Sequence, residues 1–378
     1  MITVIGEALI DLVPGAEPGS FVAAGGGSPY NVAIGLARLG QETALMARLA
    51  DNAFGRILRQ RARAERVRLD AAPFASEPTT LAVVSLDVQA RASYDFYRDG
   101  TADWQWTDEE IDRVPESTTV LHFGSLASWT PPGDERILAL ANRMRGRGNV
   151  LVSYDPNVRP RLLHDQGRAQ SLVERGVRLA HLAKASEEDV AWLYPDRTVA
   201  EVARRWLRLG AAVVVITDGA NGVDAFTEAA PAIHRPSRQV TVADTVGAGD
   251  AFTSGLLWSL TRRGLANPAR LARCSAADLA AALDDAILVA AITCERAGAD
   301  PPTRTEVETR RAGALAVPRA APGGVEGAEP AAAQRDVSGP VPGERAGTPG
   351  AGRGTAPGAA GAEPAGGEPT GALPPRSG

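Results

Sequence analysis

The residues best suited to chemistry lie at 244–250, where the sequence reads DTVGAGD. A glycine-rich turn that opens a helix presents unpaired N–H groups and the positive end of the helix dipole, which together attract anions. Gly247, Ala248 and Gly249 fit this description. Asp250 follows them, and a carboxylate beside a bound phosphate is unfavourable unless it takes a proton from an attacking hydroxyl. The loop therefore predicts phosphoryl transfer with Asp250 as the base, and a plain turn with a helix cap is the alternative.

The elements that must position this loop are read from the hydrophobic pattern. Short β-branched runs at 2–5, 119–123, 150–154 and 212–217 read as buried strands, and helical patterns follow them. Such alternation is typical of an α/β fold in which helices cover both faces of a mostly parallel sheet. Ligands bind these sheets beyond the carboxyl ends of the strands, so the chemical residues should gather there.

Two helices are predicted to begin at glycine-rich turns. One spans 28–39, with Ser28 as its cap and Pro29 in the first turn, and it follows three glycines at 25–27. The other spans 248–260 and begins inside the loop described above. Glycines at both starts allow the backbone to approach a ligand closely.

Two other parts of the chain break the strand–helix rhythm. The runs 81–86 and 93–97 alternate polar and apolar residues like antiparallel strands. Together with the stretch 8–24, which also breaks the rhythm, they predict a small projecting sheet, a lid formed mainly by 9–24 and 79–100. From about residue 317 the chain is Ala, Gly, Pro and Glu with few large apolar residues, so 317–378 is predicted to be a disordered tail.

Composition excludes several classes of protein. The net charge of -5 is small and spread along the chain, so neither a nucleic-acid nor a membrane partner is expected. Two cysteines, Cys274 and Cys294, fit a reducing compartment, and no targeting or membrane-spanning segment is visible, which makes the cytoplasm the default location. The histidines are too scattered to predict a transition-metal site.

Two long motifs resemble the signatures of the ribokinase-like (PfkB) carbohydrate kinases. Residues 244–252 are similar to the C-terminal signature, and 26–40 are similar to the N-terminal one. The resemblance covers about 1–303 and implies a kinase domain at 1–310 with a three-layer α/β/α sandwich. It also implies ATP and Mg²⁺ as cofactors and leaves open a monovalent cation such as K⁺.

Carried over position by position, the resemblance implies a set of binding residues. The residues assigned to the sugar are Asp11, Gly26, Gly27, Asn31, Arg98, Asp155, Asn157 and Arg159. The residues assigned to ATP are Lys184, Ser186, Thr217, Gly219, Gly222, Thr245 and Cys294. Alternatives stay open for four of them: a helix-capping or loop residue for Asp11, a solvated strand residue for Arg98, a hairpin turn for Thr217 and a buried structural thiol for Cys294.

One position departs from the family pattern. Residues 181–184 end at a strand-to-helix junction. The family often has Asn-x-x-Glu at this junction, where the glutamate helps to hold the water shell of Mg²⁺, whereas this chain has Ser186 and Asp189. Asp189 is the predicted metal-linked residue, through water, although its side chain is shorter. Glu188 is expected to point elsewhere on the helix. Lys184 is the only lysine in the chain, and a compact charge there suits a nucleotide phosphate.

Further matches narrow the hypothesis to one subfamily. The segments 6–11, 96–103, 155–160 and 293–299 are similar to those of fructokinases, which implies phosphorylation of fructose at O6. The alternatives are a kinase for 2-keto-3-deoxygluconate or a nucleoside, and a catalytically silent sugar-binding regulatory protein. Because a projecting sheet needs a cover for one face, a homodimer through the lid is a further hypothesis.

Overall fold

The computed structural model describes residues 1–17, 19–86 and 92–316, which all belong to one unit, Met1–Pro318. The strands are β1 (Ile2–Ile5), β2 (Leu9–Pro14), β3 (Phe21–Gly26), β4 (Thr43–Met46), β5 (Leu49–Ala50), β6 (Phe74–Ala75), β7 (Leu81–Leu86), β8 (Ala92–Tyr97), β9 (Val120–Gly124), β10 (Leu151–Asp155), β11 (Leu182–Ser186), β12 (Val213–Asp218), β13 (Gly222–Thr227) and β14 (Ile233–Arg235). The tail predicted to be disordered, 317–378, lies outside the described residues.

Helices follow most of the strands. They are α1 (Ser28–Arg38), α2 (Ala53–Ala64), α3 (Asp108–Ile111), α4 (Gly133–Gly146), α5 (Pro160–Leu163), α6 (Gln166–Leu179), α7 (Glu187–Leu193), α8 (Val199–Leu209), α9 (Ala248–Arg262), α10 (Pro268–Leu271), α11 (Ala276–Cys294) and α12 (Arg304–Ala316). Among the residues just given, no helix combines the length and apolar character needed to cross a membrane.

The main sheet has the order β14-β13-β12-β11-β10-β9-β1-β4 in the described part of the chain. From β12 to β4 every pair is parallel, and β13 and β14 extend the sheet antiparallel. The carboxyl ends of β1, β9, β10 and β11 therefore meet at one edge. This edge carries the residues that follow those strands, including Glu7, Ser125 and Asn157.

Alternate strand residues face two separate cores. Ile2 and Val4 pack into one core with residues of α1, α9 and α11, whereas Ile5 and Phe123 pack into the other with residues of α4, α6 and α8. Because successive side chains of a strand point to opposite faces, the apolar runs fill both cores. The predicted three-layer α/β/α sandwich is confirmed.

A second sheet of four strands has the order β3-β2-β7-β8. The β7–β8 and β2–β3 pairs are antiparallel, and β2 and β7 are parallel. The small sheet predicted from 9–24 and 79–100 is therefore present, except that 18 and 87–91 lie outside the described residues. Tyr94 and Phe96, on β8, face the carboxyl edge of the main sheet, where they line the cavity described next.

Candidate active site

A cavity of about 480 Å³ lies between the small sheet and the carboxyl edge of the main sheet. We call it the polar cavity because most of the residues that line it carry a hydroxyl, amide or charged group. It is lined by Glu7, Leu9, Asp11, Gly27, Ser28, Asn31, Tyr94, Phe96, Ser125, Leu126, Asn157, Arg159, Glu188, Thr245, Val246, Gly247, Gly249 and Asp250. Such a wall suits a small ligand with several hydroxyl groups.

A second cavity, of about 370 Å³, lies between α9, α11 and the β12–β13 turn. We call it the apolar cavity because small and branched apolar side chains dominate its wall. It is lined by Thr217, Gly219, Ala220, Gly222, Ser237, Arg238, Gln239, Val240, Val242, Thr245, Ala248, Gly249, Phe252, Ile287, Ala290, Ala291 and Cys294. An apolar slot with a few polar groups at one end suits a flat aromatic ring that carries a charged tail.

The two cavities meet at the start of α9, where Thr245 and Gly249 line both of them. Gly247 is the N-cap of this helix and has a φ of 76°, which a residue with a side chain adopts reluctantly. A Cβ there would also lie 2.6 Å from the Cβ of Ala299. The backbone amides of a helix start therefore lie between the two cavities, in a position that suits an anionic group.

Asp250 is held in the first turn of α9 by two side chains of α1. The Ser28 hydroxyl donates to its Oδ1 at 2.6 Å, and Asn31 Nδ2 donates to its Oδ2 at 2.9 Å. Surrounding protein raises the pKa of Asp250, while Ser28, Asn31 and the Lys184 charge act in the opposite direction. A carboxylate with a raised pKa is a better base for an alcohol proton than an ordinary one.

Asp11, at the end of the cavity nearest the small sheet, lies on β2. Burial raises its pKa to about 6, the Arg159 charge lowers it, and the Asp250 charge raises it. Gly26 packs closely against the side chain of Asp11, because a Cβ at Gly26 would lie 2.0 Å from Asp11 Oδ2. Gly26 is not among the cavity residues, so its contribution is the space that it leaves for Asp11.

The loop after β10 forms another part of the polar wall. Asn157 has a φ of 41°, and its Nδ2 donates to the Ser125 hydroxyl at 3.2 Å. Arg159 Nη1 donates to Asn157 Oδ1 at 2.8 Å. Side-chain hydrogen bonds thus fix both predicted sugar residues before a ligand binds.

The chain is similar to known carbohydrate kinases. The model of the pfkB family of carbohydrate kinases matches residues 1–306. The chain belongs to this family. A fructokinase from Rhizobium leguminosarum bv. trifolii is 36% identical over 264 residues, which are 69% of this chain and 79% of that protein.

Solved structures of similar kinases agree with this assignment. A fructokinase from Xylella fastidiosa with bound ATP has a TM-score of 0.75 at 28% identity, over 83% of this chain and 98% of that one. A fructokinase from Vibrio cholerae O395 bound to fructose, ADP and a calcium ion has a TM-score of 0.71 at 27% identity, over 82% and 97% of the two chains.

Asp155 and Lys184 of this carbohydrate kinase contact each other instead of lining either cavity. Lys184 Nζ lies 2.8 Å from Asp155 Oδ2, and both side chains are buried. Burial lowers the pKa of Lys184, but the carboxylates of Asp155, Asp189 and Asp250 together outweigh this and raise it overall. The pair sits under α9, since a Cβ at Gly249 would lie 3.3 Å from Lys184 Nζ. Its place suggests support of the loop.

The acidic residues at the start of α7 differ from the sequence expectation. Asp189 Oδ2 accepts from the Ser186 amide at 3.1 Å, and Asp189 Oδ1 accepts from the Val158 amide at 3.0 Å. Both oxygens are therefore used in a helix cap and a loop contact, and neither Asp189 nor Ser186 lines a cavity described above. Glu188, which was expected to point elsewhere, lines the polar cavity. That expectation was wrong because Glu188 lies in the first turn of α7, directly after the carboxyl end of β11, where the cavity is located.

Several further residues fall differently from the sequence expectation. Arg98 follows β8 and is absent from the residues that line the two cavities; its carbonyl accepts from Trp104 Nε1 at 2.9 Å. Ser28 is not a cap, because the N-cap is Gly27 and the hydroxyl bonds Asp250 instead. Glu7 lies within the segment 6–11 but is not among the site residues expected from the sequence, and it lines the polar cavity. Arg238 and Gln239 line the apolar cavity from a loop without any motif.

Proposed function

We propose that this kinase is an ATP-dependent fructokinase, which transfers the γ-phosphoryl group of ATP to O6 of fructose. The observation that carries the proposal is the junction of the two cavities at Thr245 and Gly249, with Asp250 on the polar side. Fructokinases are among its most similar relatives, and two similar structures hold ATP, or fructose with ADP. ATP would occupy the apolar cavity and fructose the polar cavity.

The chemical step follows from this arrangement. Asp250 takes the proton of the fructose hydroxyl while that oxygen forms a bond to the γ-phosphorus, and the bond from this phosphorus to the β–γ bridging oxygen breaks. ADP leaves with the bridging oxygen, and Asp250 later releases the proton to water. The Gly247 and Gly249 backbone lies beside the transferred group, whereas the Ala248 amide donates to the Thr245 carbonyl at 3.2 Å.

Mg²⁺ would accompany ATP and neutralise negative charge on its phosphates when bound. Glu188 fits a role near the ion, because its exposed carboxylate lines the polar cavity beside the loop. Asp189 fits less well, since backbone amides occupy both of its oxygens. We therefore assign the water-mediated contact to Glu188 in place of Asp189.

The proposal has three further parts, which concern the domain, its location and its oligomeric state. Residues 1–310 form the catalytic domain, in the cytoplasm, with the small sheet as its lid. Phe21 and Tyr97 on this sheet are 50% and 63% exposed, which favours a second copy as cover. Sedimentation of the purified protein tests the dimer, and a monomer at micromolar concentration would contradict it.

Substrate profiling tests the proposed activity. Purified protein receives ATP, Mg²⁺ and one of fructose, 2-keto-3-deoxygluconate, ribose or adenosine, and ADP release is followed in a coupled assay. Fructose should give the highest kcat/KM, with fructose 6-phosphate as product. A higher kcat/KM for 2-keto-3-deoxygluconate or for adenosine would favour the corresponding alternative kinase. Fructose binding without ATP consumption would indicate a silent sugar-binding protein.

A further inference from the structure

Glu7 has an unusual position for an acidic residue. It follows β1 at the carboxyl edge of the main sheet, its side chain is buried, and it lines the polar cavity. Its Oε2 accepts from the Ala127 amide at 3.1 Å. Its Oε1 has no hydrogen-bond partner among the described residues. A buried carboxyl oxygen without a donor is unfavourable, so a ligand in the cavity is the natural source of one.

The surroundings of Glu7 carry a second sign of ligand binding. Ser125 and Asn157 line the same cavity and have φ angles of 52° and 41°, which side chains disfavour. The two residues are joined by the hydrogen bond from Asn157 to the Ser125 hydroxyl. Strained backbone of this kind clusters where a protein holds a ligand, because the fold elsewhere must maintain it.

A second unsatisfied oxygen lines the cavity. Asn31 donates through Nδ2 to Asp250, and its Oδ1 has no partner in the described chain. The residues that line the cavity thus include two unpartnered acceptor atoms, Glu7 Oε1 and Asn31 Oδ1, in addition to the Asp11 carboxylate. Hydroxyl groups can satisfy all of them, whereas a phosphate or carboxylate ligand supplies no donor.

We propose that Glu7 is a specificity-determining residue, whose Oε1 accepts a hydrogen bond from a fructose hydroxyl other than the one that is phosphorylated. This assignment deepens the proposed function and rests on it. A site that is built to hydrogen-bond a hydroxyl rejects analogues that lack it, because its own polar group is left unpaired. Glu7 would therefore select for a sugar with a hydroxyl at one defined carbon.

At pH 8, where Glu7 with its pKa of about 7 is mostly ionised, Glu7→Gln tests the proposal because it replaces an acceptor atom by a donor. The single oxygen of glutamine must accept from the Ala127 amide, so the NH₂ group faces the cavity where an acceptor stood. We expect the dissociation constant for fructose, measured by calorimetry without ATP, to rise about 10- to 100-fold. The KM for ATP should stay within about twofold, because Glu7 is outside the apolar cavity.

The matched control is Asp134→Asn. Asp134 is also a buried carboxyl with one unpartnered oxygen, Oδ1, but it lies at the start of α4 and lines neither cavity. Its substitution should leave fructose affinity unchanged. An equal loss in both variants would mean a general structural effect and would overturn the assignment.

Monodeoxy analogues of fructose identify the partner hydroxyl. One analogue should bind the unaltered protein about 10-fold or more weakly than fructose. Its dissociation constant should be the same for Glu7→Gln as for the unaltered protein, because the analogue and the variant each remove the same hydrogen bond. Losses that multiply for every analogue would overturn the proposal. If Glu7→Gln does not fold, equal binding of fructose and all its monodeoxy analogues to the unaltered protein would overturn it. Failure of the unaltered protein to bind fructose would instead reject the proposed function.

Discussion

The Ser28 hydroxyl donates to Asp250 Oδ1 at 2.6 Å, although 222 residues separate the two in the chain. This bond joins the first turns of α1 and α9, whose glycine-rich starts both line the polar cavity. It also stabilises the ionised form of Asp250, the form that can accept a proton. The catalytic carboxylate is therefore oriented by the same turn that lines the sugar site.

Ser28→Ala should shift the pH dependence of turnover. Loss of the Ser28 donor raises the pKa of Asp250 further, and because only the ionised carboxylate acts as base, activity is lost as pH falls through that pKa. The acidic limb of kcat/KM should move to higher pH. Ser259→Ala is the control. Ser259 lies on α9, like Asp250, but it donates to Asp285 of α11 at 2.7 Å and lines neither cavity. An acidic limb at the same pH in Ser28→Ala and the unaltered protein would contradict this role.

The sequence predicted those parts of the fold that depend on local pattern. Apolar β-branched runs located β1, β9, β10 and β12 to within about one residue, because a strand buried on both faces needs a continuous run. It could not show that Ser28 contacts Asp250, since a serine before a helix also suits an ordinary cap. Nor could it show that Asp189 contacts the Val158 amide, because that contact depends on a loop distant in the sequence.

Glu7→Gln should change stability in the opposite direction from sugar affinity. Burial raises the pKa of Glu7 from 4.5 to about 7, so the folded state keeps a proton that the unfolded state releases. The associated stability is present below pH 4.5 and is lost as pH rises to 7 and beyond. Without fructose, the variant should gain roughly 3 kcal/mol over the unaltered protein between pH 4.5 and 8, by urea unfolding. A difference that does not vary with pH would contradict the buried, proton-linked carboxyl.

Lys184→Met should mainly affect stability. Removing Lys184 leaves Asp155 as an uncompensated charge in a buried position, which typically costs about 3–5 kcal/mol of unfolding free energy. The double variant Lys184→Met/Asp155→Asn should recover most of this loss, because no buried charge remains. Urea unfolding measures both. A loss below about 1 kcal/mol with a large rise in the KM for ATP would instead support a direct phosphate contact.

Ala290→Phe should weaken ATP binding without affecting the sugar. Ala290 lies on α11 in the wall of the apolar cavity, so a phenyl ring there fills space that the proposed adenine ring occupies. We expect the KM for ATP to rise about 10-fold or more, as overpacking typically costs 1–3 kcal/mol. Ala277→Phe, an exposed position on the same helix, is the control. Equal effects on ATP and fructose would argue against separate cavities.

The most direct test of the account compares the unaltered protein with Asp250→Asn under saturating fructose, ATP and Mg²⁺. Phosphorus NMR follows the formation of fructose 6-phosphate, and calorimetry follows ATP binding. Because a positioned base contributes about 10²- to 10⁴-fold, the variant should lose turnover by this factor and retain its affinity for ATP. Turnover within about tenfold of the unaltered protein would contradict the assignment of Asp250 as the base, because the loss would be smaller than the contribution of a positioned base.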